Sequence, residues 1–279
     1  MIRLAAAAVT DPGLERESNE DSAYAQVVSV SGQEPGGLFI VCDGMGGHLG
    51  GECASFWAVE TLKQELADVL EPPDPRSTAV LSSKTPDPAP DGEALTVASP
   101  SHELETRIWK AVQRANRVVY EYALRHPEEA AGAGTTLSMA LVRGGRAVIA
   151  NVGDSRTYLL RARSLRQITH DHSLVATLAA AGQIRPEDIF VHPQRNIIYR
   201  SLGQKEEVPV DIFVETLQAG DALLLCSDGL WEMVREGRIL ARLIEKAEEP
   251  HQACEALVQA AKLAGGEDNI GVVVVKVSD

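Results

Sequence analysis

Basic residues are scarce in this chain. Its 279 residues hold 26 lysines and arginines against 40 aspartates and glutamates, a net charge of -14. That balance opposes non-specific attraction to nucleic acid or to an anionic membrane surface. Long apolar runs are absent as well. Leu4 to Val9 is an apolar stretch hemmed in by Arg3 and Asp11, too short for a secretory core or a bilayer span, and no later segment is longer in the required way. The four cysteines (Cys42, Cys53, Cys226 and Cys254) show no CxxC spacing, so a reduced, cytoplasmic protein is expected. None of them is followed by arginine six positions later, which excludes a thiolate phosphate-loop mechanism, and the absence of Asp-x-Asp excludes an aspartyl-phosphate enzyme.

What is present is ample core material, with hydrophobic residues at 44% and charged ones at 24%, enough for one domain spanning residues 1–279. Short runs rich in Val, Ile and Leu at 37–42, 136–142, 146–152, 221–226 and 269–277 predict strands. Arg143-Gly144-Gly145-Arg146 is a tight hairpin turn, so the sheets should be largely antiparallel. Three-to-four spacing of Phe56, Val59, Leu66 and Val69, and of Leu104, Ile108, Val112, Ala115, Val119 and Tyr122, predicts two long helices. A last helix is expected over 250–264. Strands grouped with helices outside them give an α+β layering. Between the two long helices, residues 71–101 carry half of the fourteen prolines and no periodicity, which predicts a surface insertion.

The chemistry concentrates at strand ends. Three apolar runs lead into aspartates: Phe39-Ile40-Val41-Cys42 into Asp43, Val148 to Gly153 into Asp154, and Leu223 to Ser227 into Asp228, while Asp268 precedes the last strand. In antiparallel sheets the exit of one strand lies beside the entry of its neighbour, so these carboxylates can meet at one edge. Ionised and close together, they require cations, and hard oxygen donors suit Mg²⁺ or Mn²⁺ better than zinc. The stretch Asp43-Gly44-Met45-Gly46-Gly47-His48-Leu49-Gly50-Gly51-Glu52 is glycine-rich but is neither a P-loop nor GxGxxG. An aspartate at its start would repel bare phosphate. A transition-metal reading of His170-Asp171-His172 is the weaker alternative for those residues.

Six motifs in order along the chain resemble the bacterial metal-dependent protein phosphatases of the PP2C type. They are Gly13-Leu14-Glu15-Arg16-Glu17-Ser18-Asn19-Glu20-Asp21, Asp43-Gly44-Met45-Gly46-Gly47-His48, Gly132-Ala133-Gly134-Thr135-Thr136, Gly153-Asp154-Ser155-Arg156, Ser227-Asp228-Gly229-Leu230-Trp231 and Asp268-Asn269-Ile270. The resemblance implies a four-layer sandwich: two central antiparallel β-sheets flanked by helices on both faces, with metals in a cleft at one end.

By that resemblance Asp43 bridges two cations, Mn²⁺ or Mg²⁺, the Gly44 carbonyl helps hold one, and Asp228 with Asp268 holds the other. Asp154 would share a third, weaker cation with Asp228. Glu20 and Asp21 would order waters around the metals. Arg16 would clamp phosphate, a task that suits a planar guanidinium, with Asn269 in support. The histidine that serves as general acid in animal members follows Asp-Gly directly; here Met45 takes that place and His48 comes three residues later. A metal-activated water would attack phosphoserine or phosphothreonine on proteins. Expected partners are a serine/threonine kinase or its substrates, met by a monomer, and residues 172–200 would form a flap beside the cleft. A non-catalytic regulator that only binds phosphoproteins is the alternative function.

Overall fold

The computed structural model describes residues 2–29, 34–46, 49–70 and 100–279. In chain order the first half runs β1 (Arg3–Asp11), β2 (Asp21–Val28), β3 (Gly36–Met45), α1 (Leu49–Leu70), α2 (Pro100–Arg125), β4 (Gly134–Thr135), β5 (Leu137–Arg143) and β6 (Arg146–Val152). The second half runs β7 (Arg156–Arg161), β8 (Ser164–Gln167), α3 (Leu174–Ala180), β9 (Asp211–Thr216), β10 (Ala222–Cys226), α4 (Asp228–Trp231), α5 (Gly237–Lys246), α6 (Pro250–Leu263) and β11 (Ile270–Ser278). A 3₁₀ turn spans Pro186–Val191. One sheet has the order β1-β11-β10-β7-β8; the other is β2-β3-β5-β6-β9, with β4 paired to β3. The named ladders of both sheets are antiparallel.

Alternate residues of the central strands serve different layers. In β3, Phe39 and Val41 face the other sheet, whereas Leu38, Ile40 and Cys42 face α1 and α2. In β10 and β11, Leu223, Leu225, Val273 and Val275 fill the space between the sheets, and Leu224, Val272 and Val274 pack on α5 and α6. A strand covered on both faces needs apolar residues at every position, which is why these runs are continuous. Each fully buried Leu or Ile contributes about 1.5–3 kcal/mol. The result is the expected α+β four-layer sandwich, helix pair, sheet, sheet, helix pair.

Several expectations shift in detail. The buried stripe of α1 is Ala54, Ala58, Val59, Leu62 and Leu66, so Val59 and Leu66 face the core as expected; Phe56 is half exposed and packs edge-on against Trp57. Residues 71–99 of the expected insertion lie outside the described residues, and Pro100 and Ser101 already open α2, proline being well suited to a first helical turn. Asp43 does not follow its strand but sits within it, because β4 pairs with Gly44 and Met45 and prolongs the ladder. The hairpin β5–β6 turns as expected at Gly144 and Gly145, both at positive φ (58° and 78°). The hairpin β7–β8 makes the same kind of turn with Ala162 and Arg163 at φ 48° and 67°. Among the described residues no helix is long and apolar enough to cross a membrane.

Candidate active site

Where the chain leaves β3, β6 and β10 and enters β11, it lines a cleft of about 550 Å³. Its wall includes Arg16, Glu20, Asp43, Gly44, Asp154, Asp228, Asp268 and Asn269. Each aspartate arrives by a different local device. Asp43 is held in β3 from three sides: its N–H donates to Thr136 Oγ1 (3.0 Å), and its carbonyl accepts from Thr136 N–H and Thr135 Oγ1 (both 2.8 Å). Asp154 follows Gly153, whose φ of 101° only glycine adopts without strain, and this turn ends β6. Asp228 opens the single turn of α4 after Ser227, and Asp268 leads into β11.

Asp21 pairs with Asp43 across the β2–β3 ladder but lies behind the cleft floor. Its Oδ2 accepts from Ser227 Oγ (2.6 Å), which itself accepts from Gly271 N–H (2.8 Å), so one buried serine ties β2, β11 and the Asp228 turn together. Gly51 leaves room for the Glu20 carboxylate, since a Cβ there would stand 1.9 Å from Glu20 Oε2. Asn269 braces the segment that carries Arg16: its amide nitrogen donates to the carbonyls of Pro12 (3.0 Å) and Ser18 (2.8 Å), and its oxygen accepts from Glu20 N–H (2.8 Å). Arg16, at the cleft lip, is ion-paired with Asp268 at 2.7 Å.

The electrostatics of this wall are unfavourable as they stand. Burial, then the charge of Asp228, raises Asp43 well above the usual carboxylate range; burial, then Asp154 and Asp268, does the same to Asp228. Burial also pushes Asp21 and Asp154 up to about 7. Among the described residues, Asp228 Oδ1 and Asp21 Oδ1 are buried without a hydrogen-bond partner. Buried carboxylate oxygens without donors, next to like charges, are what a cation would satisfy. No three His, Cys, Asp or Glu side chains among the described residues close on one point. The donors instead ring an open cleft, as suits Mg²⁺ or Mn²⁺, which keep part of their water shell. The donor set therefore fits hard divalent cations.

Of the residues picked from sequence, Arg16, Glu20, Asp43, Gly44, Asp154, Asp228, Asp268 and Asn269 meet at this cleft, Asp21 supports it from behind, and His48 lies outside the described residues. The His170-Asp171-His172 stretch forms no shared site. Asp171 grips Arg156 with both oxygens, the His172 ring accepts from Gly153 N–H (3.0 Å) and meets Asp211 (3.2 Å), and His170 packs on Phe213. Sequence reasoning gave no role to Thr136, Ser227 or Trp231. They stand inside the quoted motifs, but their contacts join segments distant in sequence, and spacing along the chain does not show what they touch. Residues 172–200 are closed at their base by Leu174 N–H to Ile197 O (2.8 Å) and Tyr199 N–H to His172 O (2.9 Å), with Asn196 and Ile198 on the cleft wall.

A sandwich of this layering, with an acidic cleft at one end and a guanidinium at its lip, defines the class of PP2C-type phosphatases. Comparison with known proteins agrees. The chain belongs to the protein phosphatase 2C family, whose pattern matches residues 16–264. It is similar to the serine/threonine phosphatase stp of Listeria monocytogenes, with 38% identity over 267 residues that cover 96% of this chain and 93% of that protein. The crystal structure of the Mycobacterium tuberculosis serine/threonine phosphatase PstP/Ppp superposes with a TM-score of 0.77 at 32% identity, each chain covered in full (100%). A structure of the PstP catalytic domain in complex with two manganese ions gives a TM-score of 0.76, also at 32% identity and 100% coverage of both chains.

Proposed function

We propose that this phosphatase hydrolyses phosphoserine and phosphothreonine on proteins with Mn²⁺ or Mg²⁺ bound in the cleft. The observation that carries the reading is the convergence of Asp43, Asp154, Asp228 and Asp268 on one cleft, with a buried Asp228 oxygen that meets no donor among the described residues. Asp43 would bridge two cations with the Gly44 carbonyl beside it, Asp228 and Asp268 would hold the second, and Asp154 with Asp228 a weaker third. Bound there, the cations would supply an activated water as nucleophile and would neutralise phosphoryl charge.

The chain's own residues do the rest. Arg16, held at the cleft lip by its bond to Asp268, would turn its planar fork to two phosphoryl oxygens. Asn269 keeps the Arg16 segment in position through its bonds to Pro12 and Ser18. Glu20 orients waters at the cleft floor, which Asp21 supports from behind through Ser227. The proton for the departing serine or threonine oxygen comes from water or from His48. Residues 172–200 act as the flap that meets the protein substrate. The physiological targets are phosphoproteins, a serine/threonine kinase or its substrates among them. The unpaired thiols of Cys42, Cys53, Cys226 and Cys254 suit a reducing cytoplasm, where the chain would work as a monomer. Nothing favours the non-catalytic alternative, since the carboxylates and the clamp arginine are all retained.

Phosphate release from a phosphothreonine peptide tests this directly. Activity lost with EDTA and regained with Mn²⁺ or Mg²⁺ is expected; no release under any metal would leave only a phosphoprotein-binding role.

A further inference from the structure

Behind the cleft floor lies a polar network that the proposed chemistry does not use. The guanidinium of Arg156 is buried with its carbon 3.5 Å from the centre of the Trp231 ring. Its edge is held by Asp171 through three contacts of 3.0, 3.1 and 2.6 Å, and Nη1 donates to the Tyr158 hydroxyl at 3.0 Å. Gln167 in turn donates to Asp171 Oδ1 at 2.9 Å. The stacked indole is thus fixed in plane and rotation, and it spends its single N–H on the carbonyl of Asp154 at 3.1 Å.

Trp231 also ends the one-turn helix that Asp228 begins, closed by Glu232 N–H to Asp228 O at 2.8 Å. One rigid ring therefore connects the two carboxylate-bearing turns. The opposite side of the Asp154 turn is pinned as well. Gly153 donates to His172 Nδ1 at 3.0 Å and accepts from His172 N–H at 2.9 Å, and Ser155 Oγ meets Thr136 Oγ1 at 2.6 Å. With the backbone clamped on both sides, Asp154 keeps only its side-chain torsions.

We infer that Trp231, held flat by Arg156 and Asp171, is a positioning residue that sets the separation between Asp154 and Asp228 and thereby the affinity of the cation they share. This rests on the reading that the cleft binds cations. Groups that orient metal ligands from behind affect affinity about as strongly as this role demands, roughly 10- to 100-fold on removal.

The test is Trp231→Phe, which keeps an aromatic face on Arg156 while removing the donor to Asp154 and part of the ring. Mn²⁺ is titrated calorimetrically into EDTA-stripped full-length protein, alongside thermal melting and turnover of p-nitrophenyl phosphate. The expected result is about tenfold weaker Mn²⁺ binding at the weakest site, a melt that stays cooperative, and a KM that does not move. A Mn²⁺ isotherm that superposes on the wild-type one overturns the inference and leaves Trp231 as core filling. Should Trp231→Phe fail to fold, Arg156→Lys, which keeps the charge but loses the planar stack, is judged by the same isotherm. A wild-type protein that takes up no Mn²⁺ would instead remove the cation reading itself, a result distinguishable because it needs no variant.

Discussion

Two arginines of this molecule sit on aspartates at nearly the same distance, Arg16 on Asp268 at 2.7 Å and Arg156 on Asp171 at 2.6 Å, yet they belong to different economies of charge. The Arg16 side chain is 57% exposed and its partner 38%; the Arg156 pair is 11% and 5% exposed. The first pair faces water, is screened, and can be exchanged for other partners at little cost. The second is sealed, satisfied on every side by Trp231, Tyr158 and Gln167, and removing either half strands the other. An exposed guanidinium is available for a transient ligand, whereas a buried one is architecture.

The largest effect is expected at the carboxylate that neither arginine touches. Asp43→Asn should abolish turnover while the melting curve stays cooperative. Retention of more than about a tenth of wild-type activity would contradict a bridging role, given how much two-metal hydrolysis asks of that ligand. Next comes Arg156→Ala, which should destabilise the fold by about 3–5 kcal/mol in a denaturant titration, as expected when one half of a buried ion pair is removed. A loss below about 1 kcal/mol would put it in the class of Arg16.

Arg16→Ala should change stability by no more than about 1 kcal/mol and raise KM for a phosphopeptide by about tenfold through lost phosphate contacts. An unchanged KM would remove the clamp assignment. The smallest effect concerns pH. Burial pushes Asp21 and Asp154 up to about 7 in the folded protein, above their unfolded values of about 4. Between those values the folded state binds more protons than the unfolded one, so stability is highest at the acid end of the window and falls as pH rises through about 7. EDTA-treated protein should therefore melt several degrees higher at pH 5.5 than at pH 7.5, and saturating Mn²⁺ should reverse that order; a flat profile without metal would show that these carboxylates are less buried than described.

Legibility in the sequence followed burial, with β7 the exception, a strand buried at Thr157 to Leu160 and yet missed. Strands β3, β5, β6, β10 and β11, covered on both faces, appeared as continuous apolar runs. Strands β1, β2, β8 and β9 were missed because they are only partly buried and mix Ala, Ser, Gln and Glu with apolar residues. The β7–β8 hairpin was missed because Ala162 and Arg163 take left-handed conformations that their side chains do not announce. Within the cleft, the aspartates were legible because strand ends recur at recognisable Asp-Gly or Gly-Asp turns. The roles of Thr136, Ser227 and Trp231 were not, although the motifs contain them, since a hydroxyl or an indole shows no periodicity that marks what it will touch.

The amino-acid sequence by itself determined which residues are core, which strands are doubly covered, and which carboxylates end up at strand mouths, because burial and turn chemistry are properties of short stretches. Only the tertiary structure decided that Asp21 lies behind Asp43 on Ser227, that Arg16 caps Asp268, and that one indole spans from Asp228 to Asp154. Those contacts join residues far apart in sequence, 206 positions for Ser227 and Asp21 and 252 for Arg16 and Asp268. Their distances are set by how two twisted sheets pack, which no local pattern encodes.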